Sequence, residues 1–247
     1  MPPPTTTQKS TASRGDYEID TRWTSIDAYT MSHLHPATRP NHAALARTRQ
    51  RCDEESLPDI ACPPPHGKFF ALQCRMLNVT HALEVGTLGA YAAIWLATEN
   101  PTLRVTTVEF NPQHAAVARA NVRAAGVADR VDVLLGAGLD VLPRLLDEIR
   151  AGKRERFGFA FIDADKLNNY NYFDLAVRMS GPRACICVDN IVSKGKLAME
   201  EEAAGNEMVR GARDCVERVG RDERVEGTVL QTVGEKDYDG FLMAVVK

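Results

Sequence analysis

Long apolar runs are missing from this 247-residue chain. Nothing approaches the roughly 20 consecutive apolar residues that a membrane helix needs, so no membrane span or membrane partner is expected. The N-terminus, MPPPTTTQKSTASRGD, has no apolar core of the kind a secretory signal carries. Its Pro, Thr and Ser content predicts a disordered leader over residues 1–20. Paired cysteines are missing too: the six cysteines stand without CxxC spacing, which argues against a disulfide framework or a zinc knuckle and for reduced thiols in a cytoplasmic protein. Charge of one sign is also lacking. The net charge is −3 with a pI near 6.1, so the basic footprint of a nucleic-acid binder is absent. The short basic run at 153–156 reads as a solvated loop.

What is present is ordinary globular composition, 44% hydrophobic and 26% charged, with a regular alternation of strand and helix patterns. HALEV, LRVTTVEF, VDVLLG, FGFAFI and ACICV read as buried strands with helices between them. Asn111 followed by Pro112 is a cap and first-turn signal for one of those helices. EGTVLQTV and GFLMAVV follow without an intervening helix, joined by the polar turn GEKDYD. The expectation is an α/β fold: a Rossmann-like, doubly wound seven-stranded sheet, mostly parallel, with an antiparallel hairpin at one edge and helices on both faces. Residues 21–247 form one domain in this reading, with an N-terminal helical extension that runs into a Pro-rich turn at Ala61–Lys68.

Acidic residues close two of the predicted strands. FIDADK places Asp163, Asp165 and Lys166 after one strand, and CICVDN places Asp189 and Asn190 after the next. Parallel strands deliver such residues to the carboxyl edge of a sheet, where open α/β folds bind ligands. Two carboxylates and an amide oxygen there make an all-oxygen cradle for a divalent cation, with a lysine at hand as a base. Taken singly, each acid also reads as a strand-end cap.

LEVGTLGAY follows a strand and opens a helix, with Gly86 and Gly89 available for tight turning and close approach to a ligand. Glu109 ends the next strand at the spacing of an acid that accepts from ribose hydroxyls. The pair points to an adenosine-containing ligand, either a dinucleotide or S-adenosylmethionine. The loop is not GxGxxG, and Glu84 immediately before it would repel a pyrophosphate but suit the amino group of a methionine moiety.

With those residues in view, the chain from about Leu57 to Lys247 resembles the cation-dependent, S-adenosylmethionine-dependent O-methyltransferases of the catechol and caffeoyl-CoA type. The segments that carry the resemblance are LPDIACPPPHGK, LEVGTLGAY, VEFNPQHAAVARANV, FIDADK, VDN, VRGARD and LQTVGEKDYDGF, in that order. The resemblance implies that Glu84, Gly86 and Thr87, with Cys62, Tyr91 and Ala92 nearby, line the methionine portion of the cofactor. It implies that Glu109 holds the ribose, that Ala137 and Gly138 flank the adenine, and that Asp163 serves both cofactor and metal. Asp163, Asp189 and Asn190 match the family's Mg²⁺ ligands, and Lys166 matches its general base. The loop from Ile191 to Met208 corresponds to the substrate-facing loop. Ala92 stands where the family has serine, Cys62 where it often has Thr or Val, and Gly138 where it has Ala or Ser. Losing the serine hydroxyl would cost cofactor binding roughly 1.5–3 kcal/mol.

The implied activity is metal-dependent methylation of a small vicinal-dihydroxy aromatic, in which Lys166, its pKa depressed by burial and metal, takes the hydroxyl proton. A homodimer is implied as well. The alternatives are another hydroxyl or a nitrogen as acceptor, or a methyltransferase-like binding protein without turnover. Tyr170 and Tyr172 read as half-buried helix residues, and His33, His35 and His42 have no metal spacing.

Overall fold

The alternation seen in the sequence builds, among the described residues, seven strands and nine α-helices. The computed structural model describes residues 20–247; the expected leader lies outside them except for Asp20, whose side chain caps the first helix by accepting from the Arg22 N–H. In chain order the helices are α1 (Thr21–Leu34), α2 (His42–Glu54) and α3 (Pro64–Met76), then β1 (His81–Val85), α4 (Tyr91–Glu99), β2 (Arg104–Glu109), α5 (Pro112–Ala124) and β3 (Val131–Leu135). There follow α6 (Gly138–Arg150), β4 (Phe157–Ile162), α7 (Asn169–Met179), β5 (Ser180–Val188), α8 (Glu200–Gly205), α9 (Glu207–Val219), β6 (Val225–Gly234) and β7 (Asp237–Val246).

The strands form one sheet in the order β3-β2-β1-β4-β5-β7-β6. The first five are parallel; β7 runs antiparallel to both β5 and β6. The chain reverses direction in strand order at β1, so the gap beyond β1 and β4 is the switch point where such sheets bind ligands.

Both faces of the sheet are buried along its central strands, and successive residues divide between them. Ala82, Val105, Phe159, Phe161, Cys185 and Cys187 pack under α3, α4 and α5. Leu83, Val85, Val108, Ala160, Ile162, Ile186 and Val188 pack under α6, α7 and α9. Phe70 of α3 meets Phe161 with ring centroids 4.6 Å apart, and each such fully buried ring contributes about 1.5–3 kcal/mol. Asn111 caps α5 by accepting from the Gln113 N–H at 2.8 Å, with Pro112 in the first turn as its sequence predicts.

Two local expectations are corrected. The Pro-rich segment is not a turn throughout: Pro64–Lys68 already belong to α3, because proline fits the first helical turn, where no N–H partner is required. The closing turn is also shorter than GEKDYD. Gly234 pairs with Asp237, so only Glu235 and Lys236 span the hairpin, and Asp237, Tyr238 and Asp239 belong to β7.

Candidate active site

β1 and β2 lie side by side with Glu84 directly opposite Thr107. Glu84 is on the α4 side of the sheet and almost fully buried. It accepts a hydrogen bond from Thr107 Oγ1 at 2.5 Å, and that hydroxyl meets Thr87 Oγ1 at 2.5 Å. The Ala93 N–H, in the first turn of α4, also donates to Glu84. Burial outweighs these partners and, with the charges of Asp163 and Glu109, pushes the Glu84 pKa up to about 8. An uncompensated carboxyl at this depth suits a cationic ligand group.

Glu109 closes β2 and accepts three backbone hydrogen bonds. Its Oε2 accepts from the Thr87 N–H at 3.1 Å and the Leu88 N–H at 2.7 Å, and its Oε1 from the Asn111 N–H at 2.8 Å. The carboxylate therefore shapes the turn after β1. Within that turn Gly86 has φ 98°, and a Cβ there would lie 2.0 Å from the carbonyl oxygen of Asp163. Gly89 serves a different purpose from the ligand approach expected of it. It has no left-handed φ; its missing side chain makes room for Cys52, whose Sγ would lie 2.1 Å from a Cβ. The left-handed positions fall instead on Leu88 and Ala90.

Beyond β4 and β5 the second group of predicted residues gathers. Lys166 begins a 3-10 turn, Lys166–Asn168, and its Nζ is 2.7 Å from Asp163 Oδ1. Asp189, 7% exposed, closes β5, and Asn190 follows with φ 55°. Burial first, and the Asp163 charge second, raise the Asp189 pKa to about 7. Two crowded carboxylates, with the Asn190 amide next in the chain to one of them, are a hard donor set of the kind a divalent cation relieves. Among the described residues no three His, Cys, Asp or Glu side chains form a metal cluster, so the amide is needed to make a triad. The residues fit a cation such as Mg²⁺, which keeps several waters.

Lys166 departs from the expected depression of its pKa. Burial does pull the ammonium down, but the charges of Asp163, Asp189 and Asp239 outweigh it, and the net direction is up. As it stands, the side chain is an ammonium paired with Asp163. Asp165 is a turn residue: its carboxylate accepts from Tyr172 Oη and Asn168 Nδ2, both at 2.5 Å.

Cys62 is buried just before α3, within the field of Asp189, Asp163 and Glu84, and burial pushes its thiol well up. Tyr91 and Ala92 open α4 and are buried in the core; the Tyr91 ring stands edge-on to Trp95. Ala137 caps α6 and Gly138 is its first residue. A Cβ on Gly138 would lie 2.6 Å from Tyr172 Cε1, which explains the glycine here: the tyrosine ring holds the space.

Three residues at the site escaped the sequence reading. Thr107 is hidden within a strand of mixed Thr and Val. His66, in the PPPHGK segment, packs edge-on to Phe241 with its Nδ1 buried and unpartnered, and lies within the field of Asp239 and Asp163. Asp239 read as a turn residue, and it bonds Asn190 directly.

A seven-stranded sheet with its last strand inserted antiparallel, and acids at the carboxyl ends of β1, β2, β4 and β5, defines a Rossmann-like methyltransferase. The comparisons with known proteins agree. The family model described as O-methyltransferase matches residues 35–244. An O-methyltransferase, imqG, of Aspergillus flavus is 52% identical over 243 residues, covering 98% of each chain. A catechol O-methyltransferase of Mycobacterium tuberculosis is 41% identical over 205 residues, 83% of this chain and 89% of that one. The solved O-methyltransferase from Bacillus cereus, in complex with SAH, superposes with a TM-score of 0.84 at 39% identity, over 92% of this chain and 99% of that one. The chain belongs to the O-methyltransferase family and is an enzyme of the methyltransferase class.

Proposed function

We propose that this enzyme transfers the methyl group of S-adenosylmethionine to one hydroxyl of a small vicinal-dihydroxy aromatic, with a divalent cation, Mg²⁺ by its donor set, held by Asp163, Asp189 and Asn190. The observation that carries the reading is the pairing of that donor set with Lys166, one strand away from Glu84 and next to the turn that Glu109 shapes. The Bacillus cereus relative is a complex with SAH, and the Mycobacterium tuberculosis relative is a catechol O-methyltransferase, which supports the donor and the acceptor respectively.

In this reading Glu84 pairs with the methionine ammonium, Glu109 accepts from the ribose, and Ala137 and Gly138 border the adenine. Gly86 and Thr87 bring backbone to the methionine portion, with Cys62, Tyr91 and Ala92 behind it. A bound divalent cation lowers the pKa of an aromatic hydroxyl and orients both vicinal oxygens. Lys166 Nζ, as the free amine once its own proton has passed to solvent, would accept the proton of the hydroxyl. The oxygen then attacks the sulfonium methyl, the carbon–sulfur bond breaks, and the electron pair stays on sulfur. Positioning supplies much of the remaining barrier reduction.

Among the described residues no helix is long and apolar enough to cross a membrane. The six cysteines are unpaired, which supports a cytoplasmic location. Residues 21–247 act as a single catalytic unit in this reading. Exposed Ile26, Tyr29 and Leu34 on α1, with Leu72 and Met76 on α3, support a homodimer.

Purified protein with S-adenosylmethionine and caffeic acid is expected to give a monomethyl ether. Chelation abolishes the product and Mg²⁺ restores it. Full turnover in excess chelator, or in Asp163→Ala, would overturn the metal mechanism.

A further inference from the structure

The amide of Asn190 has a donor end and an acceptor end, and only the acceptor end can serve a cation. Something must decide which end faces the cradle. Asn190 Nδ2 donates to Asp239 Oδ2 at 3.0 Å. An ionised carboxylate only accepts, so the NH₂ is the only end of the amide that can sit against it. The carbonyl oxygen is thereby turned the other way.

Asp239 is itself fixed. Its Oδ1 accepts from the Ser193 N–H at 2.9 Å and from the Gly240 N–H at 2.9 Å. Ser193 Oγ returns a hydrogen bond to the Asn190 backbone carbonyl at 3.2 Å, and the Ile191 N–H donates to the Gly240 carbonyl at 2.9 Å. Two positions earlier on the same strand, Asp237 holds Lys194 at 2.6 Å. The turn they brace runs through left-handed backbone at Asn190, Ser193, Lys194 and Gly195, a costly path for three non-glycine residues that the surrounding contacts must hold. β7 therefore grips the turn after β5 at several points, one of which is the side chain of a proposed ligand.

We propose that Asp239 is a positioning residue that sets the orientation of the Asn190 amide, so that its carbonyl oxygen is presented to the divalent cation. The proposal rests on the metal reading given above. It assigns Asp239 no direct bond to the cation.

Asp239→Asn provides a nearly isosteric test. The replacement keeps an oxygen for the Ser193 and Gly240 N–H groups and sets an NH₂ against Asn190. That inverts the instruction, so the Asn190 carbonyl oxygen turns to the introduced NH₂ and its own NH₂ turns to the cradle. The measurement is Mn²⁺ affinity by calorimetry and by electron paramagnetic resonance, carried to millimolar metal, with thermal melts to check folding. Asp239→Asn is expected to weaken Mn²⁺ about 10- to 100-fold, the range for groups that orient a ligand. In an Asn190→Ala background the same change is expected to do almost nothing, since nothing remains to orient. The exchanged pair, Asn190→Asp with Asp239→Asn, is expected to recover Mn²⁺ binding, because either carboxylate oxygen can serve the metal.

An equal loss in both backgrounds would show that Asp239 acts through its charge alone and would overturn the proposal. So would unchanged affinity in Asp239→Asn, or an exchanged pair no better than that variant. Asp189→Ala separates the two readings. If it binds Mn²⁺ as tightly as the parent, or if the parent binds none, the metal reading fails and this one with it. If Asp189→Ala loses Mn²⁺ while Asp239→Asn keeps it, only the positioning role fails.

Discussion

Gly211 lies so close beneath Lys166 that a Cβ on it would stand 2.1 Å from the Lys166 carbonyl oxygen. Helix α9 thus seats the turn that carries the lysine, and the contact has no slack. Gly211→Ala forces the turn outward. Overpacking of this kind costs about 1–3 kcal/mol. Turnover is expected to fall at least about tenfold by loss of positioning, while S-adenosylmethionine affinity, set on the far side of β1, changes little. Steady-state kinetics beside calorimetric cofactor titration checks this. An equal loss in both would point to general unfolding.

In the proposed metal site Lys166 and a cation would compete for the same carboxylate, since Nζ sits 2.7 Å from Asp163 Oδ1. Lys166→Met removes the competitor and the proton acceptor together. Metal affinity should therefore rise several-fold while turnover falls by about 10²-fold or more. In metal-free protein the variant should melt lower, because one partner of a largely buried pair is gone; the loss stays under the roughly 3–5 kcal/mol of a fully buried pair, because Asp163 is partly exposed. Mg²⁺ titration of the two proteins decides the first point: weaker binding in the variant would contradict it.

Glu84 makes stability fall as pH rises. Its ordinary pKa of 4.5 is raised to about 8 in the fold, chiefly by burial. Its contribution is whole below about pH 4.5. Between there and pH 8 the unfolded chain gives up a proton that the folded chain retains, so stability is lost progressively until the folded pKa is passed. Cofactor-free protein is expected to melt lower at pH 8.5 than at pH 6. Glu84→Gln should flatten that decline. Parallel slopes for the two proteins would place the effect elsewhere.

Gly138 and Tyr172 divide one space. Gly138→Ala drives a Cβ to within 2.6 Å of Tyr172 Cε1 and is expected to cost about 1–3 kcal/mol. Tyr172→Leu clears the ring and loses the hydrogen bond to Asp165. The double variant should be more stable than the sum of the single losses, since the alanine then meets a gap. A coupling energy near zero in urea melts would show that the two sites are independent.

Most strands were legible because an apolar or β-branched run ends at or near a polar or acidic residue, as FGFAFI does at Asp163. The same ends marked Glu84, Glu109, Asp189 and Asn190. The residues that were not legible act across chain distance. Asp239 sits among Glu, Lys, Asp and Tyr, which locally spell a turn, and only the pairing of β6 with β7 shows that the turn ends at Lys236. Gly89 looks like a ligand-facing glycine until Cys52 of α2 is seen against it. The direction of the Lys166 shift depends on three acids from β4, β5 and β7 acting together, a sum that no single segment contains.

The insertion of β7 between β5 and β6 ties the turn after β5 to the last strand of the chain. The ends of β1, β2 and β3 are made from neighbouring strand–helix units with short closures. The turn after β5 is braced only with β7 in the sheet, which brings Asp237 and Asp239 to it, and β6 reaches the sheet through β7 alone. A chain whose last strand has not joined the sheet lacks the Asp239 bond to Asn190, so loss of β7 alone would unbrace a turn that lies 49 residues earlier in the chain.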